Sequence, residues 1–202
     1  MKADMARPGW AALCGILLAA CTLLSPVQIA TKKEVLSNIP LDLPAEKTRS
    51  ATLLVLAPET RPSYDTTQMA YTTQAYQIAY FSEHEWAETP SQMMLPLIVA
   101  TMRNTHYFRE VLPVPHFGRH TFVLRTEILE LKQDFTSEPA VLQFAMRFNL
   151  SREATHQVIA TKEVSMRIPM RERNPSAGVV AANDATAKIL RELARFVVEK
   201  AD

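Results

Sequence analysis

An α+β two-layer domain, with a mostly antiparallel or mixed sheet and two main helices covering one face, is the fold this chain predicts. Three patterns carry the expectation. Residues 140–150 alternate strictly, with Leu142, Phe144, Met146, Phe148 and Leu150 facing one way and Val141, Gln143, Ala145, Arg147 and Asn149 the other. That is the two-residue period of a half-buried strand. Residues 178–200 instead place Val180, Ile189, Leu190, Leu193, Phe196 and Val197 in the stripe of an amphipathic helix. Thr89-Pro-Ser-Gln92 precedes an apolar run: Thr89 can cap free backbone N–H groups, Pro90 suits the first helical position, and Gln92 completes a capping box.

The remaining elements follow in order. Ala51–Ala57 is a short apolar run stopped by Pro58, a buried strand, and Pro58–Pro62 a loop. Thr72–Phe81 alternates, with Tyr76, Ile78 and Tyr80 on one face, and predicts a second strand. The capped helix carries Met93, Met94, Leu97, Ile98, Thr101 and Met102 on its apolar stripe, with a bend expected at Pro96. Phe108–Val111 begins another extended piece, limited by Pro113 and Pro115. Thr121–Leu131 alternates through Phe122 and Leu124 and then through Leu129 and Leu131, so a bulge or register change is expected inside it. Residues 156–168 supply one more strand of an antiparallel meander with one face covered. The predicted order is β-β-α-β-β-β-β-α.

Ahead of this domain, Trp10–Ala20 is an uncharged run of eleven residues behind the basic Lys2 and Arg7. It is too short for a bilayer core, which needs about 20 residues, but suits a signal peptide. It ends in Leu18-Ala-Ala-Cys21, which resembles a bacterial lipobox, and Cys21 would carry the lipid. A plain secretory signal and a buried N-terminal helix are the alternatives. The predicted organisation is a signal peptide over 1–20, a lipidated tether over 21–50 and the folded domain over 51–202. The tether holds Val27, Ile29, Val35, Leu36, Ile39, Leu41 and Leu43, too many apolar residues for a free linker, so part of it is expected to dock on the domain or on a partner. Thr22 follows Cys21 in place of the common Asp retention signal, a pattern that resembles outer-membrane sorting.

Composition excludes several function classes. Removing Lys2, Asp4 and Arg7 with the signal leaves 20 basic and 20 acidic residues, and a single cysteine. No concentrated basic face points to nucleic acid, and one cysteine allows no internal disulfide. Neither G-x-G-x-x-G nor G-x-x-x-x-G-K-[ST] occurs. His84-Glu85 resembles the start of H-E-x-x-H, but Glu88 stands where the second histidine is needed. His106, His116, His120 and His156 share no tight spacing with His84, so no metal or cofactor is expected. Glu83, Glu85 and Glu88 read as solvated carboxylates, and no G-x-S-x-G surrounds Ser82, Ser91, Ser151 or Ser165. Trp86, between strand and helix cap, reads as a core residue locking that junction, with an interface anchor as the rival reading.

The segments Leu54-Val-Leu-Ala-Pro58, Ile78-Ala-Tyr80-Phe, Trp86-Ala87, Phe108-Arg-Glu-Val111, Leu124-Arg-Thr-Glu-Ile-Leu-Glu-Leu131 with Phe135, and Ala140-Val-Leu-Gln-Phe144 occur in an order that resembles the ABC-type transport auxiliary lipoprotein family, which includes the PqiC-like lipoproteins, over roughly residues 51–200. The resemblance implies a non-enzymatic protein acting at the outer-membrane end of an MCE-type lipid transport system. Its partners would be an MCE-domain periplasmic protein with its ABC permease and ATPase, and outer-membrane lipid through Cys21. Rings formed by some relatives add self-association to the expectations. No catalytic residue is carried over; Tyr80, Trp86 and Phe108 are structural or interface candidates. Competing readings are a free-standing periplasmic lipid-binding lipoprotein and a hydrolase using His84 and Glu85.

Overall fold

The computed structural model describes residues 30–44, 48–116 and 118–202, and a compact unit runs from Thr31 to Asp202. Its strands are β1 (Lys32–Glu34), β2 (Arg49–Val55), β3 (Glu59–Thr60), β4 (Gln68–Thr72), β5 (Ala79–Trp86), β6 (Phe108–Pro113), β7 (Phe122–Asp134), β8 (Val141–Arg152) and β9 (Gln157–Pro169). Its helices are α1 (Pro90–Asn104) and α2 (Pro175–Ala201). The architecture is the α+β one expected, built on a single mixed sheet of nine strands.

β7 organises the sheet. Along one edge it pairs antiparallel with β8 over nearly its full length, and β8 pairs antiparallel with β9. Its other edge takes three parallel partners in succession: β2 opposite residues 122–124, β3 opposite 127–128 and β4 opposite 132–134. The chain from β2 to β4 thus follows β7 as one interrupted strand. Beyond β2 lies β6, parallel, and beyond β4 lie β5, antiparallel, and β1, parallel to β5.

Register explains which face is dry. Leu142, Phe144, Met146, Phe148 and Leu150 of β8 are all buried. Opposite them stand Gln133, Leu131, Ile128, Thr126 and Leu124 of β7. The β7 positions opposite that buried β8 row are even-numbered up to the bulge at Ile128/Glu130 and odd-numbered after it, because one added residue reverses the pleat. The expected register change is therefore present. The other face is polar: Arg147 donates to both Glu127 and Glu163, and Thr161 Oγ1 donates to Asn149 Oδ1 at 2.7 Å.

Both helices close the dry face. α1 lies against β2, β3 and β6, α2 against β7, β8 and β9, and the helices touch each other. α1 starts where the capping box predicts: Thr89 accepts from Gln92 N while Thr89 N donates to Gln92 Oε1 at 3.0 Å. It continues through Pro96, whose missing N–H forfeits only the bond to the Gln92 carbonyl. Thr89→Ala should lower unfolding stability by about 1 kcal/mol, read as a shift of the urea midpoint with unchanged slope.

Two expectations need correction. Residues 72–81 are not one strand: β4 ends at Thr72, the chain reverses over 73–78, and β5 begins at Ala79. Tyr76 holds φ 65°, a left-handed conformation no strand contains. Val180 leaves the buried stripe of α2 and is 64% exposed. Nine residues separate it from Ile189, which at 3.6 residues per turn puts the two on opposite helix faces. Part of the tether docks on the domain, as its apolar content suggests, and belongs to the compact unit from Thr31 onward. β1 pairs with β5, and Leu36 and Pro40 are buried. Asn183 of α2 then brackets the strap: its Oδ1 accepts from Ser37 N at 2.8 Å and Asn38 N at 3.3 Å, and its Nδ2 donates to Val35 O at 3.0 Å. Arg191 pairs with Asp42 further on and holds that carboxyl below its usual range.

Candidate functional site

Cys21 lies outside the described residues. The other sequence-predicted positions are distributed, not gathered. Trp86 ends β5, is 3% exposed and belongs to the main core. Its N–H donates to Thr67 O at 2.7 Å, and the next N–H, of Ala87, donates to Glu34 O at 2.7 Å. Phe108 is buried at the start of β6, edge-on to Tyr107 at 4.9 Å and to Phe122 at 6.2 Å. Tyr80 is half-buried, and its hydroxyl donates to Ser63 O at 3.0 Å.

The His84–Glu85 pair alternates across a strand, so the two side chains leave opposite faces of β5. Glu85 pairs with Lys33 across the β1–β5 ladder, while His84 Nδ1 stands 3.6 Å from Glu34 Oε1, too long for a hydrogen bond. Glu83 and Glu88 are exposed. His106 and His156 sit at left-handed turn positions, and His120 Nε2 faces Glu153 at 3.2 Å. Among the described residues no cluster of three or more His, Cys, Asp or Glu is placed to hold a metal ion. Ser91 Oγ donates to Pro58 O at 2.6 Å and is occupied in tying α1 to the loop after β2.

Two concavities lie where the strands meeting at the C-terminal end of β7 give way to turns. The first is an apolar groove of about 410 Å³ between the end of β9 and the first turns of α2, with Ile168, Pro169, Ala177, Val180 and Ala181 in its walls. Arg171, Glu172 and Asp184 stand among its charged lining residues. The second, about 380 Å³, is polar and lies under the β4–β5 turn. Asp134 anchors it: its carboxylate accepts from Thr136 N at 2.9 Å, Thr136 Oγ1 at 2.6 Å and Gln143 Nε2 at 2.8 Å. Burial raises the Asp134 pKa, but the Thr136 bonds with Arg167 and Lys132 outweigh it and leave the carboxyl below its usual range. Across the cleft, burial and then Glu130 push the Tyr64 hydroxyl up to about 12.

This arrangement offers an apolar slot, a polar cleft built around Asp134 and a protruding turn. The sequence reading missed the slot because it placed Val180 in the core, although the helical period alone puts that residue outside. It missed the protruding turn because 73–78 contains no Gly, Pro, Asn or Asp to mark it.

Solved structures share the fold. Protein XCC0632 from Xanthomonas campestris superposes with a TM-score of 0.71 at 14% identity, over 85% of this chain and 95% of its own. An uncharacterized protein matches with a TM-score of 0.63 at 11% identity over 82% and 99%. Hypothetical protein CT253 from Chlamydia trachomatis matches with a TM-score of 0.51 at 10% identity over 75% and 98%. No curated protein matches the chain. A family model, ABC-type transport auxiliary lipoprotein component, covers residues 36–194, from the buried Leu36 of the strap to the last turns of α2. With β2 to β9, α1 and most of α2 within that span, the chain belongs to the ABC-type transport auxiliary lipoprotein component family.

Proposed function

We propose that this protein is a non-enzymatic, outer-membrane-anchored auxiliary component of an ABC/MCE-type intermembrane lipid transport system. The observation that carries the reading is the family match over residues 36–194, joined to the lipobox ending at Cys21. Acyl chains contribute about 0.8 kcal/mol per buried CH₂, so two or three of them hold a domain at a membrane with no spanning helix. No helix among the described residues is long and apolar enough to cross one. The domain would then stand at the outer-membrane end of the system as an adaptor for an MCE-domain protein.

Pull-down of the intact lipoprotein from native membranes tests the partner: an MCE-domain protein should copurify, and its consistent absence sinks the adaptor reading. Replacing Cys21 by Ser should abolish acylation and move the protein from the membrane to the soluble fraction. The apolar groove beside Val180 favours one second reading, a lipid-binding lipoprotein working alone. Native mass spectrometry separates the two, because only that reading predicts stoichiometric lipid inside the domain.

A further inference from the structure

We infer that the end of the domain carrying the β4–β5 turn rests on the phospholipid surface to which the chain is anchored, with Tyr76 and Ile78 entering the headgroup layer. The inference rests on the acyl anchor at Cys21 and adds to it the orientation of the domain. Strand register defines the end. β4 finishes at Thr72 opposite Asp134, β8 starts at Val141 opposite the same Asp134, and β9 finishes at Pro169 opposite Val141. The turns 73–78, 135–140 and 170–174 therefore cluster together, with the start of α2 beside them.

The path of the chain points the same way. β5 begins at this end with Ala79, and β1 runs parallel to it with Lys32 opposite His84. The chain before Lys32 accordingly leaves β1 toward the β4–β5 turn. Thr31 lies ten positions after Cys21, a stretch that reaches at most about 35 Å when fully extended. A leash leaving in that direction favours this end as the one nearer the lipid.

The surface is chemically suited to that position. Tyr76 is fully exposed and holds φ 65°, a conformation unfavourable for a side chain of its size, while packing against nothing that would repay the strain. Ile78, 41% exposed, follows two residues later, and Val180 opens the apolar groove nearby. A tyrosine is amphipathic and favours the membrane–water interface. Arg171 is exposed and has no ion pair among the described residues, while Arg173 pairs with Glu138 and lies over Phe135. Signs are balanced across these turns, which fits zwitterionic headgroups better than a strongly anionic patch.

The test uses the full, acylated protein reconstituted in phosphatidylcholine vesicles whose lipids are brominated near the headgroup end of one acyl chain. Tyr76→Trp should lose most of its added emission to bromine quenching, measured against the parent protein with its buried Trp86. Val158→Trp, on an exposed residue at the opposite end of β9, should keep its emission. Unquenched Trp at position 76, or equal quenching at both positions, overturns the orientation. Intact mass on the same sample reports the acyl chains, so loss of the anchor reading and loss of the orientation are seen separately.

Discussion

Trp86→Ala should destabilise the domain by about 3–5 kcal/mol, the range for truncating a large buried aromatic side chain. Trp86 is one of the most enclosed side chains of β5, whose preceding residues are partly or wholly exposed. It stands where three separate pieces of chain converge: β1 through the Glu34 register, the end of the loop before β4 through Thr67 O, and α1, which starts four residues later. Removing the indole leaves a cavity in the main core that these pieces cannot close without breaking the β1–β5 ladder. Small domains unfold at a total cost of about 5–15 kcal/mol, so the variant should be marginal or unfolded at ambient temperature. Urea unfolding followed by far-ultraviolet circular dichroism measures it. Trp86→Phe should recover most of the loss, since it restores much of the volume and needs no hydrogen-bond partner. A variant that folds normally yet loses its transport partner would instead return Trp86 to the rival role of interface anchor.

The parts of the fold that were legible in the sequence are those decided locally. The capping box at Thr89 and Gln92 fixes the start of α1 within four residues. β8 is plain because its two faces differ in polarity at every step. Even the bulge in β7 was visible, since an added residue must switch the apolar parity from Phe122 and Leu124 to Leu131. What failed depends on contacts distant in sequence. β1 reads Lys-Lys-Glu and has no alternation of its own; it exists because Lys33 and Glu34 find Glu85 and Trp86 some fifty residues away. The turn at 73–78 was invisible for a related reason. Its alternating residues suit a strand, and the reversal is held by Thr72 Oγ1, which donates to Gln74 O at 2.7 Å. The cluster Glu83-His84-Glu85 resembles a metal motif only as a string of residues. On β5, between β4 and β1, its charges alternate sides, and Glu85 is matched to a lysine of the neighbouring strand. Trp86 and Phe108 both lie in the core, whereas Tyr76 and Val180 stand exposed outside the environment their sequence pattern suggests.

Adding a single methyl group at Gly178 should destabilise the domain by about 1–3 kcal/mol, the cost of overpacking a filled core. Position 178 lies in the first turn of α2, where alanine ordinarily gains up to about 1 kcal/mol over glycine, so the sign of the effect is diagnostic. Gly178 is buried, and a Cβ built on it would stand 2.0 Å from Cδ of Gln133 and 2.2 Å from its Nε2. Gln133 follows the β7 bulge, which turns it to the dry face beneath α2, and it is itself buried. A flexible amide in solvent would swing aside. This one donates from Nε2 to Pro175 O at 3.1 Å, joining the first turn of α2 to the sheet, and moving it leaves the buried amide nitrogen unpaired. Helix and sheet therefore approach this closely only because position 178 has no side chain. The double variant Gln133→Ala/Gly178→Ala supplies the check, since it removes the clash and the stranded amide together and keeps the helix gain. It should be more stable than Gly178→Ala alone, whereas purely additive losses in thermal unfolding would place the strain elsewhere in the helix.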